Sequence, residues 1–240
     1  MIALLFVNVL TIYGMAALSD VFSQLEDSGM SEFEKELLRE MYGLDVISTV
    51  LTSASNASYP VIVGLVIVLF VCRDFSQGTV KTLIARGVKR EDFYFAKLAV
   101  VTLIAIAFYL ATIIFGFLFG LIFFGFDTPD SARWLGVLAV QFVAALGTAY
   151  LAFFAASALK RVGPSIVIVI IVPTAIQVVL TLIDIFAKTH LSDYFITTVF
   201  PFLSTTGVSV SRLISSLITS LIYTAAFVGG GFLLSRKTEY

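Results

Sequence analysis

Five side chains stand out by position: Asn8, Gln141, Gln177, Asp184 and Arg212 each interrupt a stretch that is otherwise apolar. Polar groups at membrane depth are costly, and they are kept for substrate pathways or for bonds between helices. These five are the candidates for an intramembrane polar pathway. Asp184 and Arg212, opposite in sign and near the ends of neighbouring apolar stretches, are expected to pair. Catalysis by the chain alone is not expected. His190 is the single histidine and Cys72 the single cysteine, which excludes an intrachain disulfide and the common thiolate and His-rich metal sets. The phosphate-loop, H-E-x-x-H and G-x-S-x-G patterns are absent from the sequence, and with them the chemistry each supports. An intramembrane enzyme would have to rest on the isolated Asp184. No catalytic residue, metal ligand or cofactor is therefore assigned to this chain.

The elements that hold these residues are apolar to an unusual degree. The chain is 59% hydrophobic and 13% charged, with a mean hydropathy of +1.03, against roughly 45–50% and about 25% in a soluble domain. An all-α integral membrane protein forming one transmembrane domain is expected. With a net charge of −1, the chain lacks the basic face that nucleic-acid binding requires. Six spans are expected, at about 2–19, 46–72, 99–126, 134–159, 166–187 and 208–234, each long enough to cross the hydrocarbon core. The first has no basic residue ahead of it, so it is expected to remain a span rather than be cleaved as a signal peptide. Pro60 is expected to kink or break the second span. The third, uncharged from Ala99 to Phe126, makes about 42 Å of helix and must tilt or protrude. Residues 20–45 are acidic and carry an S-x-x-E capping box at Ser31–Glu34, which predicts a short amphipathic helix in an external loop. Residues 188–207 are too apolar for a free loop and too short and broken for a crossing. A re-entrant or interfacial segment is expected there.

Basic residues are distributed unevenly. Arg73, Lys81, Arg86, Lys89, Arg90, Lys97, Lys160, Arg161, Arg236 and Lys237 fall on one side of the expected topology, against Lys35, Arg39, Arg133 and Lys188 on the other. By the positive-inside rule the first side, with both termini, is cytoplasmic. Residues 73–98, "RDFSQGTVKTLIARGVKREDFYFAKL", carry six of the fifteen cations. There Phe75, Val80, Leu83 and Ile84 form an apolar stripe, with Lys81, Arg86, Lys89 and Arg90 facing elsewhere, and Gly87 interrupts the pattern. Such a segment suits anionic headgroups or a cytoplasmic partner.

The run "GTVKTLIARGVKREDFYFAKL" resembles the loop between the second and third spans of bacterial ABC-2-type transporter permeases. The residues that carry the likeness are Gly78, Thr79, Val80, Lys81 and Leu83, then Gly87, Arg90 and Lys97. Many members of that family have Glu where Gln77 stands, and the amphipathic helix that opens their membrane domain has no counterpart here. The resemblance implies a coupling helix that docks on a separate cytoplasmic ABC ATPase, which would bind ATP and Mg. Its contact residues would be Gln77, Gly78, Thr79, Val80, Lys81, Leu83, Ile84, Arg86, Gly87 and Arg90, with a second, shorter contact at Lys160 and Arg161. It further implies a second permease copy, identical or different, facing this one in a bacterial cell membrane.

The chain holds 23 Phe, clustered in "FGFLFGLIFFGF" at 115–126. Aromatic and small residues along a cleft suit amphipathic cargo better than sugars or ions. In length and loop style the chain is similar to the smaller permeases that export, or confer immunity to, membrane-active peptides. The expected function is the permease subunit of an ATP-driven peptide exporter. The alternative is a membrane scaffold or sensor that holds another cytoplasmic partner through residues 73–98.

Overall fold

The computed structural model describes residues 7–14, 16–17, 46–56, 58–124, 133–203 and 208–237. The expected amphipathic helix at 20–45 lies outside these residues, as does part of the first span, of which 7–14 are helical (α1). The helices that follow are α2 (Val46–Ala54), α3 (Ser58–Ser76), α4 (Thr79–Ala85), α5 (Arg90–Phe124) and α6 (Arg133–Leu159). Beyond them come α7 (Val162–Ala187), α8 (Ile196–Phe202) and α9 (Val210–Lys237). No strand occurs among the described residues. Among the described residues, five helices, α3, α5, α6, α7 and α9, are long and apolar enough to cross a membrane.

The expected second span is two helices. α2 ends at Ala54, and the chain turns through Ser55 and Asn56 before α3. Asn56 makes this turn: its side-chain Oδ1 accepts from the Ser58 N–H at 2.9 Å and its carbonyl accepts from the Tyr59 N–H at 2.9 Å. Pro60 therefore lies in the first turn of α3, where a missing N–H costs nothing. The break falls ahead of the proline, not at it.

α5 begins at Arg90, well before the expected 99, and runs for 35 residues, about 52 Å at ~1.5 Å per residue. Hydropathy marks where a helix enters lipid, not where it starts. Glu91 and Asp92 occupy the first turn, where carboxylates complement the helix dipole. α7 accommodates Pro173 through a π turn at Val167–Ile171, since the wider turn makes room for a ring that clashes with a regular helix. The Thr174 hydroxyl donates to the Ile170 carbonyl at 2.7 Å.

The core is built around α6. It is buried over 61% of its most apolar stretch, against 6% for α7, so α6 is the axis of the bundle and α7 its outermost span. Ala144, Ala145, Ala149, Ala152, Ala155 and Ala156 keep the α6 surface low, which lets neighbouring backbones come close. Glycine does the same elsewhere. A Cβ on Gly116 or Gly120 would lie 3.2 Å from the Cα of Val50 or Val46, and one on Gly64 would lie 2.6 Å from Val169 Cγ1 in the π turn. Tyrosine hydroxyls fasten the spans across these contacts. Tyr59 donates to the Ala105 carbonyl at 3.1 Å, Tyr109 to that of Leu138 at 2.8 Å and Tyr94 to that of Val228 at 2.8 Å.

Candidate functional site

The basic end of the bundle collects the residues singled out between the second and third expected spans. α3 stops because Gly78 adopts a left-handed conformation, φ 69°, which glycine takes without the penalty of a Cβ. α4 then runs for seven residues and ends in a Schellman motif. The Gly87 N–H donates to the Ile84 carbonyl at 3.0 Å, the Val88 N–H to that of Leu83 at 3.2 Å, and Gly87 itself has φ 92°. Two glycines thus frame α4, Gly87 at the place where the sequence pattern breaks. Within it Val80 is 2% exposed, Leu83 and Ile84 are half-buried, and Thr79 and Thr82 face outward. Gln77 and Arg86 are exposed in the flanking turns, Lys81 lies inside α4, and Arg90 opens α5.

The turn at Lys160 and Arg161 reaches this same end. Lys160, at φ 54°, closes α6 in a left-handed conformation, and its Nζ lies 5.9 Å from the Phe75 ring centroid in the last turn of α3. Four further contacts brace the platform. Asp74 of α3 forms an ion pair with Lys97 of α5. Lys97 Nζ also sits 4.5 Å from the Phe70 ring centroid and 5.8 Å from that of Phe93. Arg236 of α9 pairs with Glu91 at 2.7 Å. Arg73, Arg86, Lys89 and Arg161 are exposed and make no ion pair among the described residues. This end can therefore offer a shaped, cationic surface on a braced base.

The five intramembrane polar residues do not form one cluster. Gln141 is fully buried, and its Nε2 reaches three acceptors: the Leu203 carbonyl at 2.7 Å, Ser55 Oγ at 2.5 Å and the Leu51 carbonyl at 3.1 Å. It binds the α2–α3 break to α6 and to the end of α8. Asn8 is 1% exposed, and neither of its amide atoms has a hydrogen-bond partner among the described residues. One turn on, Thr11 Oγ1 accepts from Asn56 Nδ2 at 3.1 Å, which places α1 against the same break.

The remaining three hold the segment after α7. Gln177 Oε1 accepts from Thr197 and Thr198 at 2.7 and 2.6 Å. Asp184 accepts from the Leu191 and Ser192 N–H groups at 2.8 and 2.7 Å and from the Thr189 hydroxyl at 2.6 Å. The expected Asp184–Arg212 pair does not form. Arg212 Nη2 pairs with Asp193 at 2.9 Å, because the chain folds back after Lys188 and carries Asp193 between the two helices. Asp184 is consumed by the backbone of that same turn. The returning segment then buries Ile196, Val199, Phe200 and Leu203 in the core, and the Phe200 ring packs 6.3 Å from that of Tyr59.

The sequence reading missed Asp74 and did not pair it with Lys97. Their signal was faint: two opposite charges at the two mouths of one loop, where each helix meets apolar sequence. It missed Asp193 because a charge in an irregular segment has no periodicity to place it.

Comparison with known proteins adds one assignment. A family model described as a protein of unknown function, DUF2705, matches residues 26–240. The chain belongs to the DUF2705 family. A relative of this DUF2705 chain, the "Uncharacterized membrane protein YdbK" of Bacillus subtilis (strain 168), is 35% identical over 81 residues, which cover 34% of this chain and 32% of the relative. The aligned part thus spans about a third of that protein. No solved structure matches the chain. With its long apolar helices, this DUF2705 member is a multi-pass membrane protein.

Proposed function

We propose that this chain is the membrane subunit of an ATP-driven transporter of the ABC-2 type. In this reading it has six spans, α1 and its flanking residues forming the first and α2 with α3 the second. The basic end is cytoplasmic and α4 is the helix on which a separate ATPase docks. The observation that carries the reading is the build of α4: a seven-residue helix set off by two left-handed glycines, with cations exposed around it, hung between two long helices. Val80, Leu83 and Ile84 are turned toward the protein and Thr79 and Thr82 face out, as a docking element requires. Arg73, Arg86, Lys89 and Arg161 fit an acidic rim on the partner, and Gln77 contributes an uncharged contact. ATP and Mg would be held by the ATPase, which must favour one arrangement of the spans over another for transport to be driven. A second permease copy would complete the pathway, and the Phe-rich spans suit amphipathic peptide cargo. The localisation that follows is a bacterial cell membrane with both termini in the cytoplasm.

The test is purification from the native membrane followed by mass spectrometry of what accompanies the chain. An ABC-type ATPase in stoichiometric amount is expected, and it is expected to be lost from Gly78→Val and Thr79→Arg variants that still insert and fold. Recovery of intact membrane protein without any ATPase, or with a different soluble partner held through residues 73–98, would replace this reading with that of a scaffold or sensor.

A further inference from the structure

α4 is poorly built to transmit a load by itself. It is joined to α3 through Gly78 and to α5 through Gly87, and no atom lies within 4 Å of where a Cβ would stand at either glycine. Val80 is its one fully buried side chain among those described. A push on such an element is absorbed by its two pivots unless the strands of chain entering and leaving it are tied together.

Asp74 and Lys97 supply the tie. Asp74 lies in the last turns of α3 and Lys97 about two turns into α5, so their ion pair closes the base of the whole loop. Both side chains are about one-fifth exposed, at 21% and 20%, and the Phe70 and Phe93 rings hold the ammonium from the sides. An exposed pair would be screened and weak. Here the aromatic wall limits screening, and removing either partner strands the other charge at the edge of the apolar core. The contrast lies at the same end of the bundle: Arg236 and Glu91 are 54% and 47% exposed and have the solvent access that makes pairs expendable.

We infer that Asp74 and Lys97 are positioning residues that make α3, α4 and α5 move as one body, so that force applied to α4 reaches the spans. The inference rests on the docking role proposed for α4, but its first test needs no partner. Spin labels on Thr82→Cys and Leu103→Cys, in a Cys72→Ala background in nanodiscs, report the distance from α4 to the body of α5 by pulsed electron resonance. A single narrow distribution is expected in the parent. Asp74→Asn, Lys97→Met and the double variant, in which no charge is left unpaired, are expected to broaden it. The swap Asp74→Lys/Lys97→Asp is expected to restore it. In the complex with the ATPase, the same variants keep the partner bound yet lose about tenfold of the membrane subunit's effect on ATP turnover, a size typical of coupling between sites, and the swap regains it. A distribution unchanged in all three variants overturns the inference. So does parental turnover in variants whose distribution has broadened. If no ATPase accompanies the chain, the docking role falls, and the distance measurement alone decides whether the three helices are tied.

Discussion

Replacing Gln141 with Leu tests the claim that one amide holds the α2–α3 break shut. Gln141 Nε2 has two hydrogens and three acceptors in reach. Two of those acceptors survive its loss. The Leu51 carbonyl still accepts from the Ser55 N–H at 2.9 Å, and the Ser55 hydroxyl can turn to that carbonyl or to a neighbour. The Leu203 carbonyl has no other donor among the described residues. An orphaned buried carbonyl costs about 1–3 kcal/mol, and each of the other lost bonds about 0.6 kcal/mol, the mean for side-chain bonds inside membranes. Against this, Gln141 Oε1 is itself buried without a partner, and its removal returns about 1 kcal/mol. The net expectation is a loss of about 2 kcal/mol, or roughly 30-fold in the folded-to-unfolded ratio. Steric trapping of the chain in bicelles measures that ratio directly. Ser55→Ala should cost less than Gln141→Leu, and the double variant should cost little more than Gln141→Leu alone. A Gln141→Leu chain within about 0.5 kcal/mol of the parent, the usual range of surface substitutions, would refute the view that the Leu203 carbonyl depends on this amide.

Other outcomes follow from close contacts. Gly64→Ala puts a methyl 2.6 Å from Val169 Cγ1, a stiff β-branched group that has little room to turn. It should cost about 1–3 kcal/mol in the same trapping assay, with Val169→Ala relieving most of it. Gly231→Ala meets the Tyr94 hydroxyl at 2.7 Å and should break its bond to the Val228 carbonyl, at a cost of about 1–2 kcal/mol. Adding Tyr94→Phe to that variant should lower the melting temperature no further, and a further drop would show that the clash lies elsewhere. Arg212→Gln removes the ion pair to Asp193. Because Arg212 is 39% exposed, the cost should stay at or below about 1 kcal/mol, seen as faster amide exchange confined to residues 189–195. Exchange spreading into α6 would contradict a local role.

Much of the fold was legible because lipid imposes one rule on every span. The apolar lengths ending near Leu159 and Ala187 mark helices: α6 and α7 end at those residues and begin one and four residues ahead of the expected 134 and 166, and Gly87 closes α4 where the periodicity fails. What was not legible depends on short-range competition between side chain and backbone. Pro60 looked like the breaker of the second span, yet the Asn56 side chain makes the turn first and leaves the proline a harmless place in α3. Arg90–Leu98 lay outside the expected third span because charge excludes a segment from lipid, but charge does not exclude it from the same helix. The residues of the basic end were found by pattern, whereas the Asp74–Lys97 pair that braces them joins positions more than twenty apart, and no periodicity connects them. Asp184 and Arg212 looked like partners on sign and depth alone. Asp193 intervened from a segment whose course the pattern could not trace.

The segment from Thr189 to Leu203 is bonded at four stations: Asp184 and Gln177 on α7, Arg212 on α9 and Gln141 on α6. It works as a drawstring through three helices at the end of the bundle away from α4. Loosening one station leaves three, so these helices cannot part there without pulling Phe200 and Leu203 out of the core. At the other end α7 is seated on the bundle by the buried Ser165, whose hydroxyl lies 3.3 Å from the Ala155 carbonyl of α6, and by Val169 against Gly64. Any splaying of α7 from its neighbours must therefore start at the basic end and taper toward the cinched one, like a purse opened from the wrong side. A wedge-shaped gap of that kind would be widest where α4 sits.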